Sequence, residues 1–195
     1  MKEKIINLPN LLSFYRLLTF PFLVWMILTE KEGLFAVFLC VNLITDILDG
    51  LIARVFKLET KFGAKLDSLA DIGTYICAFW GVFAFKQNEL GESIHLLWPF
   101  LILFILGLLV SFVKFRQSPS LHLYASKIGG YVQGIYFFVL FAWLHVPWLY
   151  FMAVGVGYLS WLEEVIVLLI LKEPQSNVKG LYWVLKEQGR AKNKS

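Results

Sequence analysis

Six long apolar runs within 195 residues constrain this chain more than any other feature. They lie at 11–29, 34–54, 63–85, 95–113, 127–146 and 148–171. A helix that crosses a bilayer needs about 20 mostly apolar residues, and each run meets that need closely enough. An apolar run alone does not separate a membrane span from a buried helix, but six of them leave no soluble fold in which to be buried. Composition agrees: 58% of the residues are hydrophobic and 16% charged, against about 45–50% and about 25% in soluble domains. A soluble globular domain, a disordered chain, a disulfide scaffold and a nucleic-acid-binding module are excluded, despite the formal charge of +4. The expected fold class is therefore an all-α membrane protein with six transmembrane helices. It forms a single domain over 1–195, with a short interfacial segment at 1–10 and a basic tail at 173–195.

Charge sets the orientation. Six crossings put both termini on one side, and that side receives Lys2, Lys4, Arg16, Arg54, Lys57, Lys61, Lys65, Lys114, Arg116, Lys127 and the six basic residues from Lys172 to Lys194. Of the 18 basic residues, only Lys31 and Lys86 remain for the other side. Basic residues mark cytoplasmic loops, so both termini are expected in the cytoplasm. The first run lacks a small-residue cleavage site and contains Pro21, so it reads as a retained span and not as a signal peptide. Cys40 and Cys77 fall inside spans as buried thiols. The stretch Val178–Lys186 reads either as an interfacial helix on an anionic leaflet or as a solvated basic tail.

Ionisable groups inside spans are costly and point to function. Asp46 and Asp49 stand at the end of the second run, and Asp67 and Asp71 near the start of the third. Spacings of three and four residues put each pair on one helix face. A short connection brings both pairs to the cytoplasmic ends of neighbouring helices. Four carboxylates at one depth repel one another unless a hard divalent cation joins them, and Mg²⁺, Mn²⁺ and Ca²⁺ favour carboxylate oxygen. Paired metals serve in-line displacement at phosphorus. Gly50, Ala53 and Gly63 leave bare helix surface for close approach of a ligand, and Arg54 offers a planar fork for phosphate. The alternative is a salt network of these acids with Arg54, Lys57, Lys61 and Lys65. The small residues and the arginine at helical spacing favour the site.

The stretch from Asp46 to Asp71 has the form Asp-x2-Asp-Gly-x2-Ala-Arg-x8-Gly-x3-Asp-x3-Asp. In this it resembles the CDP-alcohol phosphatidyltransferase family at all eight specified positions. The start, with Leu8, Pro9, Asn10, Ser13, Arg16 and Pro21, is similar to the family's first span. The resemblance implies a six-helix bundle in a bacterial-type cytoplasmic membrane, in which Asp46, Asp49, Asp67 and Asp71 hold two divalent ions, Mg²⁺ or Mn²⁺. It implies Asp71 as general base, Gly50, Ala53 and Gly63 lining a cytidine pocket, and Arg54 at the diphosphate. It further implies CDP-diacylglycerol and a small polar alcohol as substrates, release of CMP, and a homodimer in the lipid bilayer with no nucleic-acid partner.

Arg116, His122, Ser126 and Lys127 lie on the same expected side and suit a phosphorylated acceptor, Arg116 and Lys127 above all; they also read as ordinary loop charge. Thr45-Asp46 resembles glycerophosphate-accepting members. Leu66–Asp71 resembles serine-accepting ones, since the former carry proline and lysine where Ser68 and Ile72 stand here. Glycerol 3-phosphate is the expected acceptor, with serine, inositol and inositol phosphate as alternatives. Glu163 and Glu164 lie in the sixth run, where they are expected to touch the acceptor cavity, pair with Arg16, or pair within the bundle. The rival class is a transporter or ion-conducting protein. Against it, the acids cluster at one face instead of lining a path across the bilayer.

Overall fold

The computed structural model describes residues 7–116, 123–171, 173 and 178–192, with side chains to Lys186. Ile5 and Ile6 of the expected interfacial segment, and His122, lie outside the described residues. Every element among the described residues is helical: α1 Leu8–Leu28, α2 Glu32–Val55, α3 Lys61–Phe85, the four-residue α4 Gln87–Leu90 followed by a 3-10 segment Gly91–Leu96, α5 Leu97–Phe115, α6 Tyr124–Ala142, α7 Pro147–Ile170 and α8 Leu181–Lys192.

Local chemistry sets the boundaries. Asn7 caps α1 by accepting the Asn10 N–H at 2.9 Å, with Pro9 in the first turn, where its missing N–H costs nothing. α1 therefore already includes residues 8–10, which sequence alone assigns to the interfacial segment. Pro21 lies inside α1 without ending it. The connection between the first two runs, expected at 30–33, consists of Thr29, Glu30 and Lys31. Glu30 takes a left-handed conformation (φ 56°), and the Lys31 N–H returns to the Met26 carbonyl at 2.9 Å. The same closure ends α2: Lys57 has φ 54°, and the Leu58 N–H reaches the Ala53 carbonyl at 2.9 Å. Thr60 then caps α3 by accepting the Gly63 N–H at 2.9 Å. Two tight turns thus make α1, α2 and α3 an up-down-up set.

Five helical segments are long and apolar enough to cross a membrane: α1, α2, α3, α7, and the stretch Gln87–Phe115 that contains α5. The run at 127–146, expected as the fifth of six spans, becomes α6 and is not among them. Lys127, Gln133 and three glycines dilute its apolar character. Exposed side chains on the five are largely apolar, with Phe22, Val37, Ile102 and Leu159 all more than half exposed. An apolar exterior over an interior that holds the polar groups is the arrangement of an integral membrane protein.

The chain divides into two compact units. The first comprises Met1–Glu92 and Phe137–His145. In it α1 packs against both α2 and α3, which meet each other far less than either meets α1. The short connection does make α2 and α3 consecutive neighbours, but α1 is the element that joins them. Phe35, Phe79, Phe137 and Phe141 fill its core, with Phe35 edge-on to Phe141 at 5.3 Å. The second comprises Ser93–Tyr136 and Val146–Ser195. Here α5 packs on α7, with Phe104 edge-on to Trp161 at 4.9 Å. Val178, just before α8, and Val184, within it, join a buried cluster with Leu123, Val167, Leu168 and Leu171.

Candidate active site

α1 carries a polar residue at every third position: Asn7, Asn10, Ser13, Arg16 and Thr19. Three-residue spacing forms one ridge on a helix, and here the ridge points inward. Asn10, Ser13, Arg16 and Thr19 are all buried. Each meets a partner on α2 or α3, or on the loop between them. The Asn7 side-chain amide donates to the Leu58 carbonyl at 3.2 Å, and Ser13 Oγ donates to Asp49 Oδ2 at 3.2 Å. Thr19 exchanges hydrogen bonds with Asn42 at 2.9 and 3.0 Å. Such pairing is what buried polar groups require where no water reaches them.

Arg16 is the centre of this ridge. Its Nη1 pairs with Asp46 Oδ1 and Asp71 Oδ1, and its Nη2 with Asp49 Oδ2 and Asp67 Oδ1, all within 2.7 Å. Its Nε is buried with no hydrogen-bond partner among the described residues. The four expected aspartates therefore do converge, two from the end of α2 and two from the first half of α3. They are not equivalent. The side chains of Asp46, Asp67 and Asp71 are 39–43% exposed, whereas Asp49 is 4% exposed and Arg16 fully buried. Arg16 and Asp49 form a floor beneath three accessible carboxylates.

One guanidinium against four carboxylates leaves an excess of three negative charges when all are ionised. Carboxylate oxygens of Asp46, Asp49 and Asp67 lie within 4.8 Å of one another. Convergent hard oxygen donors with surplus negative charge suit a divalent cation of the Mg²⁺ or Mn²⁺ type. The residues present fit such an ion.

The other expected residues divide between the units. Gly50 lies beside the cluster, and the nearest atom to a side chain built there is Arg54 Nη2 at 3.6 Å, so this surface is bare. Ala53 is half-buried. Arg54 is exposed and turns its Nε back to the Gly50 carbonyl at 2.8 Å; the cation that the structure sets among the aspartates is Arg16. Gly63 is buried, and a Cβ there would collide with the Asn10 side chain and stand 2.8 Å from Thr60 Oγ1. Its bareness is used at least in part by α1. Arg116 and Lys127 are exposed in the second unit, Arg116 with a left-handed φ of 53° that ends α5.

The two glutamates of α7 have their own partners. Glu164 is buried and accepts Ser126 Oγ at 2.8 Å. Glu163 accepts the Leu181 N–H at 2.8 Å, which caps α8. The expected pairing with Arg16 gives way to these contacts. Sequence reasoning noted Arg16 as a cytoplasmic charge, as one of the residues that make the start similar to the family's first span, and as a partner for those glutamates, but did not set it among the aspartates. The ridge of polar residues three apart was the available signal for its true place.

A sequence profile described as CDP-alcohol phosphatidyltransferase matches residues 6–170. Over 77 residues (40% of this chain and 13% of the relative), the chain is 39% identical to a cardiolipin synthase (CMP-forming) / mitochondrial hydrolase fusion protein of Schizosaccharomyces pombe. Over 68 residues (33% of this chain and 37% of the relative), it is 38% identical to the CDP-diacylglycerol–glycerol-3-phosphate 3-phosphatidyltransferase of Escherichia coli K12, and equally so to that of Shigella flexneri. The matched stretches thus span well under half the length of these relatives. No solved structure matches the chain.

Proposed function

This chain belongs to the CDP-alcohol phosphatidyltransferase family, and from that premise we propose that it transfers a phosphatidyl group from CDP-diacylglycerol to glycerol 3-phosphate, releasing CMP. The observation that carries the reading is the convergence of Asp46, Asp49, Asp67 and Asp71, on which the unbroken family motif falls. The relatives named for glycerol-3-phosphate transfer support the acceptor.

The acceptor hydroxyl oxygen forms a bond to the phosphorus that bears diacylglycerol, and the bond from that phosphorus to the CMP oxygen breaks. Asp46, Asp49, Asp67 and Asp71 would hold two Mg²⁺ or Mn²⁺ ions. Such ions, when bound, neutralise charge on the diphosphate and on the displaced oxygen. Asp71, accessible at the open side of the cluster, takes the hydroxyl proton. Asp49 and Arg16 anchor the array from below. The bare surface at Gly50 and Ala53 admits the nucleotide, and Gly63 borders it. The Arg54 fork faces the diphosphate, while Arg116 and Lys127, in the other unit, carry charges suited to a phosphorylated acceptor.

In this reading α6 is a sixth crossing, both termini are cytoplasmic, and the cluster opens at the cytoplasmic face. Reporter fusions to residues 31 and 86 against the two termini test that orientation. The homodimer rests on family resemblance and is tested by crosslinking in native membranes.

The deciding experiment is an acceptor panel. Purified protein is given CDP-diacylglycerol, Mg²⁺ and glycerol 3-phosphate, serine, inositol or inositol phosphate, and the lipid products are identified by mass. Phosphatidylglycerophosphate is the expected product, and another product reassigns the acceptor. Asp67→Ala and Asp71→Ala should abolish CMP release in folded protein; wild-type rates in these variants would overturn the reaction. Cation flux in liposomes without CMP release would favour a transporter instead.

A further inference from the structure

The oxygens that a divalent ion would take are already engaged. Asp46 Oδ1, Asp49 Oδ2, Asp67 Oδ1 and Asp71 Oδ1 each receive a hydrogen bond from one buried guanidinium. We propose that Arg16 is a built-in competitor of the metal. Its guanidinium satisfies the four carboxylates between turnovers, keeps them convergent, and must yield some of these oxygens when divalent ions bind. The inference rests on the metal-holding role assigned above to the aspartates.

Three features of the site support this. First, the contacts are shared by all four acids, two on each Nη, so Arg16 belongs to the whole array and not to one partner. Second, its side chain is fully buried while three of its partners are 39–43% exposed, so an ion arriving from the open side meets carboxylates backed by a fixed positive charge. Third, its Nε makes no hydrogen bond among the described residues, so the group is held by the carboxylates and by packing. Cations that contend for the same oxygens weaken each other's binding. Arg16 thus stabilises the array in the absence of metal and lowers its affinity for metal when metal is present. Divalent ions then bind loosely enough to leave or rearrange with the product.

The test is direct Mn²⁺ binding to purified protein, read from the paramagnetic resonance of the free ion, with unfolding temperature in EDTA as a second readout. Wild type should bind Mn²⁺ and Asp67→Ala should not. Arg16→Gln should bind Mn²⁺ about tenfold more tightly, a change that corresponds to about 1.4 kcal/mol, and should unfold at lower temperature in EDTA. Arg16→Lys keeps the charge but lacks the fork that reaches four carboxylates, so its affinity should rise by about threefold; it carries the test if Arg16→Gln does not fold. A merely structural arginine would lower unfolding temperature and metal affinity together, whereas competition moves them in opposite directions. Equal or weaker Mn²⁺ binding in the folded Arg16 variants, beside normal binding in wild type, overturns the competition alone. Absence of binding in wild type overturns the metal reading and this inference with it.

Discussion

Neutralising Asp49 should abolish function without weakening the protein in EDTA. The carboxylate of Asp49 stands 2.7 Å from Arg16 Nη2, and one of its oxygens lies within 4.8 Å of carboxylate oxygens of Asp46 and Asp67. At an effective dielectric of about 20, the attraction to Arg16 is roughly 6 kcal/mol, and each repulsion is at least about 3.5 kcal/mol, about 7 together. Replacing Asp49 by asparagine removes both sets, which nearly cancel. The amide oxygen still accepts from Ser13 and Arg16, and the cost of burying a charge disappears. Asp49→Asn should therefore unfold in EDTA within about 5 °C of wild type or above it, taking about 2–4 °C per kcal/mol for a chain of this size. CMP release and Mn²⁺ binding should both be lost. Thermal unfolding in detergent, with EDTA and then with Mg²⁺, reads both effects. A fall of about 10 °C or more in EDTA, the response to breaking an isolated buried ion pair, would refute the reasoning.

Three further outcomes follow from the packing and the loops. A Cβ at Gly81 would fall on the ring of Phe35, which is fully buried, so Gly81→Ala should cost about 1–3 kcal/mol in unfolding measurements; Gly155→Ala, with nothing within 4 Å, should cost nothing. Burial pushes the Lys86 ammonium down, but Glu32 at 2.8 Å and Glu89 at 2.7 Å outweigh it and raise its pKa. A raised lysine stabilises the fold at neutral pH and loses that share as pH climbs through the raised value. The deficit of Lys86→Met in unfolding temperature should thus close only above about pH 10.4. Glu163→Ala removes the acceptor that caps α8, at a cost of about 1 kcal/mol, which should show as faster tryptic cleavage after Lys186 with CMP release retained.

The sequence carries a large part of this arrangement because its signals are local. Apolar runs set helix lengths, and the spacing of Asp46, Asp49, Asp67 and Asp71 sets their faces. What one dimension does not carry is the third wall of the site. The acids of α2 and α3 could have been balanced by Arg54, Lys57, Lys61 or Lys65, which are nearer in sequence. Arg16 is chosen because α1 packs along both helices and turns its polar ridge toward them, a tertiary fact. The crossing expected of α6 is not established by its composition: Lys127, Gln133 and the glycines are polar or small enough to dilute its apolar run.

The burial gradient across the cluster links its stability to its chemistry. An ionised group at the centre of a span costs about 2.5–3.5 kcal/mol on insertion scales, so five such groups would be prohibitive if each faced lipid or a dry core. Only Asp49 and Arg16 are buried, and they neutralise each other at 2.7 Å. Asp46, Asp67 and Asp71 keep 39–43% of their side chains exposed, so part of their hydration survives. Position explains the split: Asp46 and Asp49 are within the last three turns of α2, and Asp67 and Asp71 within the first three of α3. The same placement that makes the acids tolerable leaves three of them accessible near the ends of their helices. An additional lysine in α1 facing the three open carboxylates would lower the electrostatic cost further, yet it would cover the accessible side of the array. A single arginine underneath, with its forked group turned up into the array, offsets the charge and leaves the open side free.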